Sequence, residues 1–220
     1  MYVVVVQPVS TARPPLSTAT IVAAGFLLAD EQGVGALSMR NLARTLGYEV
    51  MSLYNHVRNK DDLLTLMVDA VAAEIDAPRA DVAPLAAVRA MAVSTHTTLV
   101  RHPWAASLWL RQTPGPSRTQ QMEDLLRLMY ASGLSHELAH HGFHAVNNHV
   151  LGYTLQQLGM ALDTEDLHGK ARAFMSGLSP DTYPYMVAHI QEHLEGQTAS
   201  SFELVLDLIL DGLVRLDREA

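Results

Sequence analysis

Cysteine is absent from this 220-residue chain, which excludes disulfides, thiolate zinc sites and cysteine redox sensing. Positive charge is scarce. Fifteen Lys and Arg oppose 23 Asp and Glu, for a formal net charge of −8. Any surface for nucleic acid is therefore a local patch on an acidic body. Long apolar runs are missing too. The opening M-Y-V-V-V-V-Q-P-V is too short to span a bilayer and lacks the positive segment of a secretory signal. Residues 1–15 read as a flexible N-terminal arm or an over-long start. With no later run long enough to cross a membrane, the expectation is a soluble, cytoplasmic protein. What the chain does have is apolar bulk, 49% of its residues, enough for one large or two small domains.

The most informative stretch runs from Ser38 to Lys60: S-M-R-N-L-A-R-T-L-G-Y-E-V-M-S-L-Y-N-H-V-R-N-K. Leu42 and Leu46 lie one helical turn apart. After Gly47, the residues Val50, Leu53, Tyr54 and Val57 follow the i, i+3, i+4, i+7 spacing of a helix with one buried face. Two short helices joined at a glycine cross steeply, as in a helix-turn-helix whose second helix enters the DNA major groove. Arg40, Arg44, Arg58 and Lys60 oppose only Glu49 within this segment.

Around it, Ser17 is a good cap for a first helix reaching about Gln32, and Ser38 caps the second. Asn59 caps a fourth, where Asp61 and Asp62 suit the N-terminal dipole. Pro78 and Pro84 bracket a joint, so residues 16–77 form one domain and 78–220 a second. Beyond the joint only helices are expected: about Leu85–Val100, Trp104–Leu110, one around Met122–Met129, Ser135 to about Leu162, Met186–Leu194 and Ser201–Leu216. Thr113–Pro116 is a loop, and Asp163–Tyr183 a looser segment. Along the last helix, Phe202, Val205, Leu206, Ile209, Leu213 and Leu216 are apolar, with Glu203, Asp207 and Asp211 as its solvated stripe. No strand pattern appears, so the class is all-α: a three-helix DNA-binding head followed by a helical second domain.

The order A-D-E-Q-G-V-G-A-L, S-M-R-N-L-A-R-T-L-G and L-Y-N-H-V-R-N-K-D-D-L-L resembles the TetR-type bacterial repressors, strongly over Leu16–Ile75 and especially the tetracycline-repressor branch. The closing S-F-E-L-V-L-D-L-I-L-D-G-L resembles that branch more weakly. The resemblance implies a homodimer held by the helices near Ser135–Leu162 and Ser201–Leu216. It also implies a double-stranded palindromic operator, and a small effector inside the second domain that releases it. Carried over by position, Arg40 would reach a base edge, where a guanidinium can pair bidentately with guanine. Val50, Met51 and Ser52 would read bases from the second helix of the motif. Tyr54, His56, Lys60 and the Ser38 hydroxyl would contact phosphates, fixing register rather than sequence. Glu49 either accepts from a cytosine amine or faces away from phosphate. No cofactor and no catalysis are implied.

Two other readings stand beside this one. His136-Glu137-Leu138-Ala139-His140 is literally H-E-x-x-H, the zinc-hydrolase spacing. The wider group His136, His140, His144 and His149 could serve metal sensing, or line a cavity or dimer seam. In the tetracycline branch a histidine before the Thr113–Pro116 loop grips a metal–drug chelate. Here Trp109 takes that place, and Asn148 and Gln156 fall near the branch's later histidine and carboxylate. Tetracycline is therefore not the expected effector. Trp104, Trp109, Met122, Met129, Phe143, Tyr153 and Met160 point to a bulky apolar ligand oriented by Asn148 or His149, although the same spacing serves a core equally well.

Overall fold

The computed structural model describes residues 15–161, 164–195 and 201–219. The expected arm at residues 1–15 lies almost wholly outside them, as do the side chains of Met160 and of Glu165, the distant third-ligand candidate for the H-E-x-x-H histidines. Among the described residues there are eleven α-helices and no strand. They divide into two compact units, one up to Met67 and one from Val68 onward.

The head comprises α1 (Thr18–Gln32), a 3-10 turn (Val34–Ala36), α2 (Met39–Leu46), α3 (Val50–Tyr54) and the first part of α4 (Lys60–Ala72). Its start signals are local. The Ser17 hydroxyl accepts from the Thr20 amide at 3.1 Å, and the Asn59 side chain accepts from the Asp62 amide at 2.8 Å. Ile21, Leu28, Leu37, Leu42, Leu53, Val57, Leu63 and Met67 are buried.

The body contains α5 (Pro84–Arg101), α6 (Pro103–Leu108), α7 (Pro116–Ala131), α8 (His136–Ala161), α9 (Thr164–Ser176), α10 (Pro184–Leu194) and α11 (Phe202–Glu219). Its core is a four-helix contact among α5, α7, α8 and α11, built on Val88, Met91, Leu125, Met129, Phe143, Val146, Leu206 and Leu213.

Two expectations are corrected here. The segment expected to be loose contains a helix, α9, of 13 residues. The two compact units part within the continuous helix α4, between Met67 and Val68, and the expected joint at Pro78–Pro84 follows that helix. Met67 belongs to the head, its sulfur 3.0 Å from where a side chain on Gly25 would begin, while Asp69 bonds within the body. The acidic stripe of α11 is not merely solvated. Arg89 of α5 donates to Asp207 at 2.6 Å and to Glu203 at 2.7 Å, and this pairing holds the Asp207 carboxyl below its usual range.

Asp69 also explains a glycine. Its carboxylate accepts from the Ser117 amide at 3.2 Å and the Arg118 amide at 2.9 Å, capping α7 from 48 residues away. A Cβ on Gly115 would sit 2.4 Å from the Asp69 Cγ. Gly115→Ala should therefore break the cap. The expected loss is about 1–3 kcal/mol, a lost cap plus crowding, read as a lower urea midpoint with unchanged m. An unaltered midpoint would show that Asp69 moves aside freely.

Candidate nucleic-acid interface and interior polar cluster

The turn of the helix-turn-helix is fixed by backbone geometry. Helix α2 begins at Ser38, whose hydroxyl accepts from the Asn41 amide at 3.1 Å; its own proton remains available to a phosphate. It ends at Gly47, which sits in the left-handed region with φ 67°. The Tyr48 amide closes the last turn on the Ala43 carbonyl at 2.9 Å. A side chain at that φ costs about 1–2 kcal/mol, which is why glycine stands there. Helix α3 has only five residues, and Leu53 is the one it buries. The Thr18 hydroxyl donates to the His56 carbonyl at 3.1 Å, tying the end of this motif to the start of α1.

Every residue expected at DNA is at least partly accessible. Met51 is 73% and Tyr54 41% exposed, Arg40, His56 and Lys60 are exposed, and Ser38, Val50 and Ser52 are half-buried. Among the described residues, no hydrogen bond or ion pair engages the Arg40 guanidinium or the Lys60 ammonium. Arg58 differs. It is clamped to Asp62, four residues on, at 2.7 Å, while its backbone amide donates to the same carboxylate at 2.9 Å. That pairing lowers the Asp62 carboxyl. Counting cations along the sequence overstated the patch by this one. Arg44 donates to the Asn41 side chain at 3.3 Å and remains exposed.

In the body, the residues expected to line a ligand site separate into groups. Trp104 and Trp109 are buried at α6. The Arg118 guanidinium lies 4.9 Å from the Trp109 ring centroid and donates to the Gln112 carbonyl at 2.9 Å. Its Nε is buried without a partner, and burial pushes its pKa down. Met129 is fully buried in the core, with Met122 packed beside it. Asn148 is exposed, so of the two candidate orienting groups only His149 is turned into the subunit.

His149 and Tyr153 do come together, with partners the sequence did not single out. The His149 ring stacks on Phe202 at 4.7 Å, and His96 stacks on Phe202 at 4.1 Å. Tyr153 presents its edge to Phe202 at 5.4 Å. The His149 Nε2 lies 2.8 Å from the Phe202 carbonyl. A carbonyl only accepts, so this nitrogen carries the proton. The Thr154 hydroxyl donates to the Val150 carbonyl at 2.5 Å and therefore accepts from His96 Nδ1 at 2.8 Å. Burial, and then the charge on His149, lower the His96 pKa. The sequence offered only the polar Ser94-Thr95-His96-Thr97-Thr98 run within α5, which names no partner for His96.

The H-E-x-x-H reading finds no support among the described residues. His136 lies against the Tyr130 ring at 4.9 Å. Glu137 reaches toward His141 at 3.9 Å rather than serving His136 and His140. His140 and His144 are neighbours, ring centroids 4.8 Å apart. Among the described residues no three His, Cys, Asp or Glu side chains converge as a metal site would require.

The family model for bacterial regulatory proteins of the tetR family matches residues 21–67, and that for the tetracyclin repressor-like C-terminal domain matches residues 85–216. The chain belongs to the TetR family. Over 219 aligned residues this TetR-family chain is 32% identical to the HTH-type transcriptional repressor DrrR1 of Streptomyces coeruleorubidus, with 94% of the chain and 80% of that protein covered. Apo ActR from Streptomyces coelicolor superposes with a TM-score of 0.77 at 31% identity, covering 94% of this chain and 99% of that one. ActR in complex with (S)-DNPA superposes with a TM-score of 0.75 at 30% identity, covering 91% and 98%. As a TetR-family protein, the chain is a ligand-responsive, DNA-binding transcriptional regulator. No described helix is long and apolar enough to cross a membrane.

Proposed function

We propose that two copies of this TetR-family chain pair through α8 and α11, grip a palindromic operator with both heads, repress transcription, and let go when a small, largely apolar effector enters the body. The observation that carries the DNA reading is local: Arg40 and Lys60, unpaired among the described residues, flank in sequence the short helix α3 with its exposed Met51 and Tyr54, on a chain of net charge −8. Acidity elsewhere limits attachment to DNA outside the operator. In this reading Arg40, Val50, Met51 and Ser52 meet bases, and Ser38, Tyr54, His56 and Lys60 meet phosphates. Two recognition helices entering successive major grooves place the half-sites about one helical turn apart.

The name of DrrR1 supports repression, and the complex of ActR with (S)-DNPA supports a small-molecule effector. His149 and Tyr153, which meet at Phe202, remain candidate effector contacts, and Trp104, Trp109 and Met122 remain candidates for apolar contact; none of the five lines the cavities around Met91. The protein performs no catalysis in this reading, and it acts in the cytoplasm, where its operator lies.

The test is fluorescence anisotropy on DNA from the protein's own upstream region against scrambled DNA, across a salt series. Preference for the upstream fragment supports the reading, and equal weak binding to both counts against it. Arg40→Ala should weaken operator binding about tenfold to a hundredfold and relax discrimination at one base pair. Lys60→Ala should weaken both DNAs alike and reduce the slope of log K against log salt by about one. A Lys60→Ala protein with the parental slope removes that residue from the phosphate contacts.

A further inference from the structure

We infer that Met91 is a movable partition inside the effector chamber, and that its side chain sets how large an uncharged ligand the body admits. The inference rests on the effector-responsive reading above and deepens it. Three cavities surround this one residue. A groove of about 420 Å³ lies between α5 and the segment Asp76–Val82 that leads into it. A second, of about 190 Å³, lies where the end of α4 and Asp76–Pro78 meet α7. The third, of about 10 Å³, lies among α5, α7 and α8 and holds nothing larger than a water molecule. Met91 lines all three. No other residue does.

Methionine suits a partition. Its side chain is unbranched, turns about three bonds and fills irregular gaps. Met91 is 2% exposed and lines the grooves and the inner cavity alike, which is where a partition would stand. Swinging it aside joins them. The space gained runs toward Thr95, whose hydroxyl donates to the Met91 carbonyl at 2.8 Å, and toward Gln121, whose amide lies 3.4 Å from Thr95. Gln121 lines both the smaller groove and the inner cavity.

Charge selects the class of ligand. The one cation lining these cavities, Arg79, is clamped to Asp81 at 2.6 Å. Asp124 is paired with Arg127 at 2.9 Å, and Asp76 accepts from the Ser94 hydroxyl at 3.0 Å. No free counter-charge awaits an anion. Alanine, proline, isoleucine and valine supply most of the remaining walls. The occupant is an uncharged, largely apolar molecule with a carbonyl or hydroxyl group for Gln121 or Thr95.

The test uses the full chain and a neutral fluorescent probe, 1-aminoanthracene. Met91→Ala should bind it at least fivefold more tightly than the parent, and Met91→Trp at least tenfold more weakly. Leu128→Ala is the control: Leu128 belongs to the same core but lines none of the cavities, so it should lose stability without gaining affinity. Equal affinity in parent and Met91→Ala overturns the inference, as does an equal gain in Leu128→Ala. Should Met91→Ala fail to fold, Met91→Val shortens the partition with less lost burial and is read in the same way. Operator binding without probe is measured in each protein. A parent that ignores its operator fails the regulator reading. A parent that binds it while the Met91 variants leave probe affinity unchanged fails only the partition.

Discussion

Leu53→Ala should abolish operator recognition without touching a single DNA-facing side chain. Helix α3 is five residues long, well short of the length at which a helix holds itself in water. Its geometry is borrowed from packing, and Leu53, fully buried, is the one side chain it buries. Truncation to alanine removes about 2–5 kcal/mol from a head whose other fixings are the Gly47 turn, Val57 and the Thr18 bond to the His56 carbonyl. Because base readout depends on placing Val50, Met51 and Ser52 within hydrogen-bond or contact distance of base edges, affinity should fall at least a hundredfold. The expected pattern is loss of anisotropy with the dimer and most helical signal retained, since the body has its own core. Met51→Ala is the comparison. Met51 is 73% exposed, so its removal should leave stability within about 0.5 kcal/mol and lower affinity only at its own base. Unchanged operator affinity in Leu53→Ala would mean that DNA itself, rather than the core, holds α3 in place.

The features legible in the sequence were those written in neighbouring residues. Serine and asparagine caps announced the starts of α1, α2 and α4, and the capping bonds are made: the Ser38 hydroxyl accepts from the Asn41 amide at 3.1 Å, for example. Gly47 announced the turn because a left-handed φ is a local demand. The missed features depend on partners distant in the chain. Asp69 looks like any helix-surface acid until α7 arrives, and Arg89 becomes an anchor only when α11 brings Glu203 and Asp207 to it. His96, separated by 58 residues from Thr154, had no sequence partner to mark it. Helix α9 was missed for a different reason: it carries Gly169 and a mainly polar run, so its periodicity is weak. The H-E-x-x-H string failed the other way. Spacing can put two imidazoles on one helix face, but it does not bring a third ligand to them; among the described residues none converges, and Glu137 turned to His141 instead.

The dimer reading has an equally large expected effect, because α11 carries two apolar faces and the subunit uses one. Phe202, Leu206, Leu210 and Leu213 are buried against the body. Leu204, Leu208 and Leu216 are 61%, 64% and 47% exposed, with Gly212 completing the i, i+4 spacing between them. The sequence grouped Leu216 with the other apolar positions of this helix; it belongs to this outer stripe. On α8, Leu155 is exposed as well, flanked by Gly152 and Gly159, where an added Cβ would meet nothing within 4 Å. Small residues beside exposed leucines leave room for another helix to approach closely. If two copies bury these faces, each leucine contributes about 1.5–3 kcal/mol. Leu204→Asp with Leu208→Asp should then raise the dimer dissociation constant by roughly a hundredfold or more, before the cost of bringing carboxylates together. Sedimentation should show a folded monomer at micromolar concentration, since both positions face solvent in the single chain. Operator affinity should collapse with it, because one head alone makes half the contacts. A double variant that sediments as a dimer would move the interface elsewhere, and one that is monomeric yet binds the operator at parental affinity would end the two-headed reading.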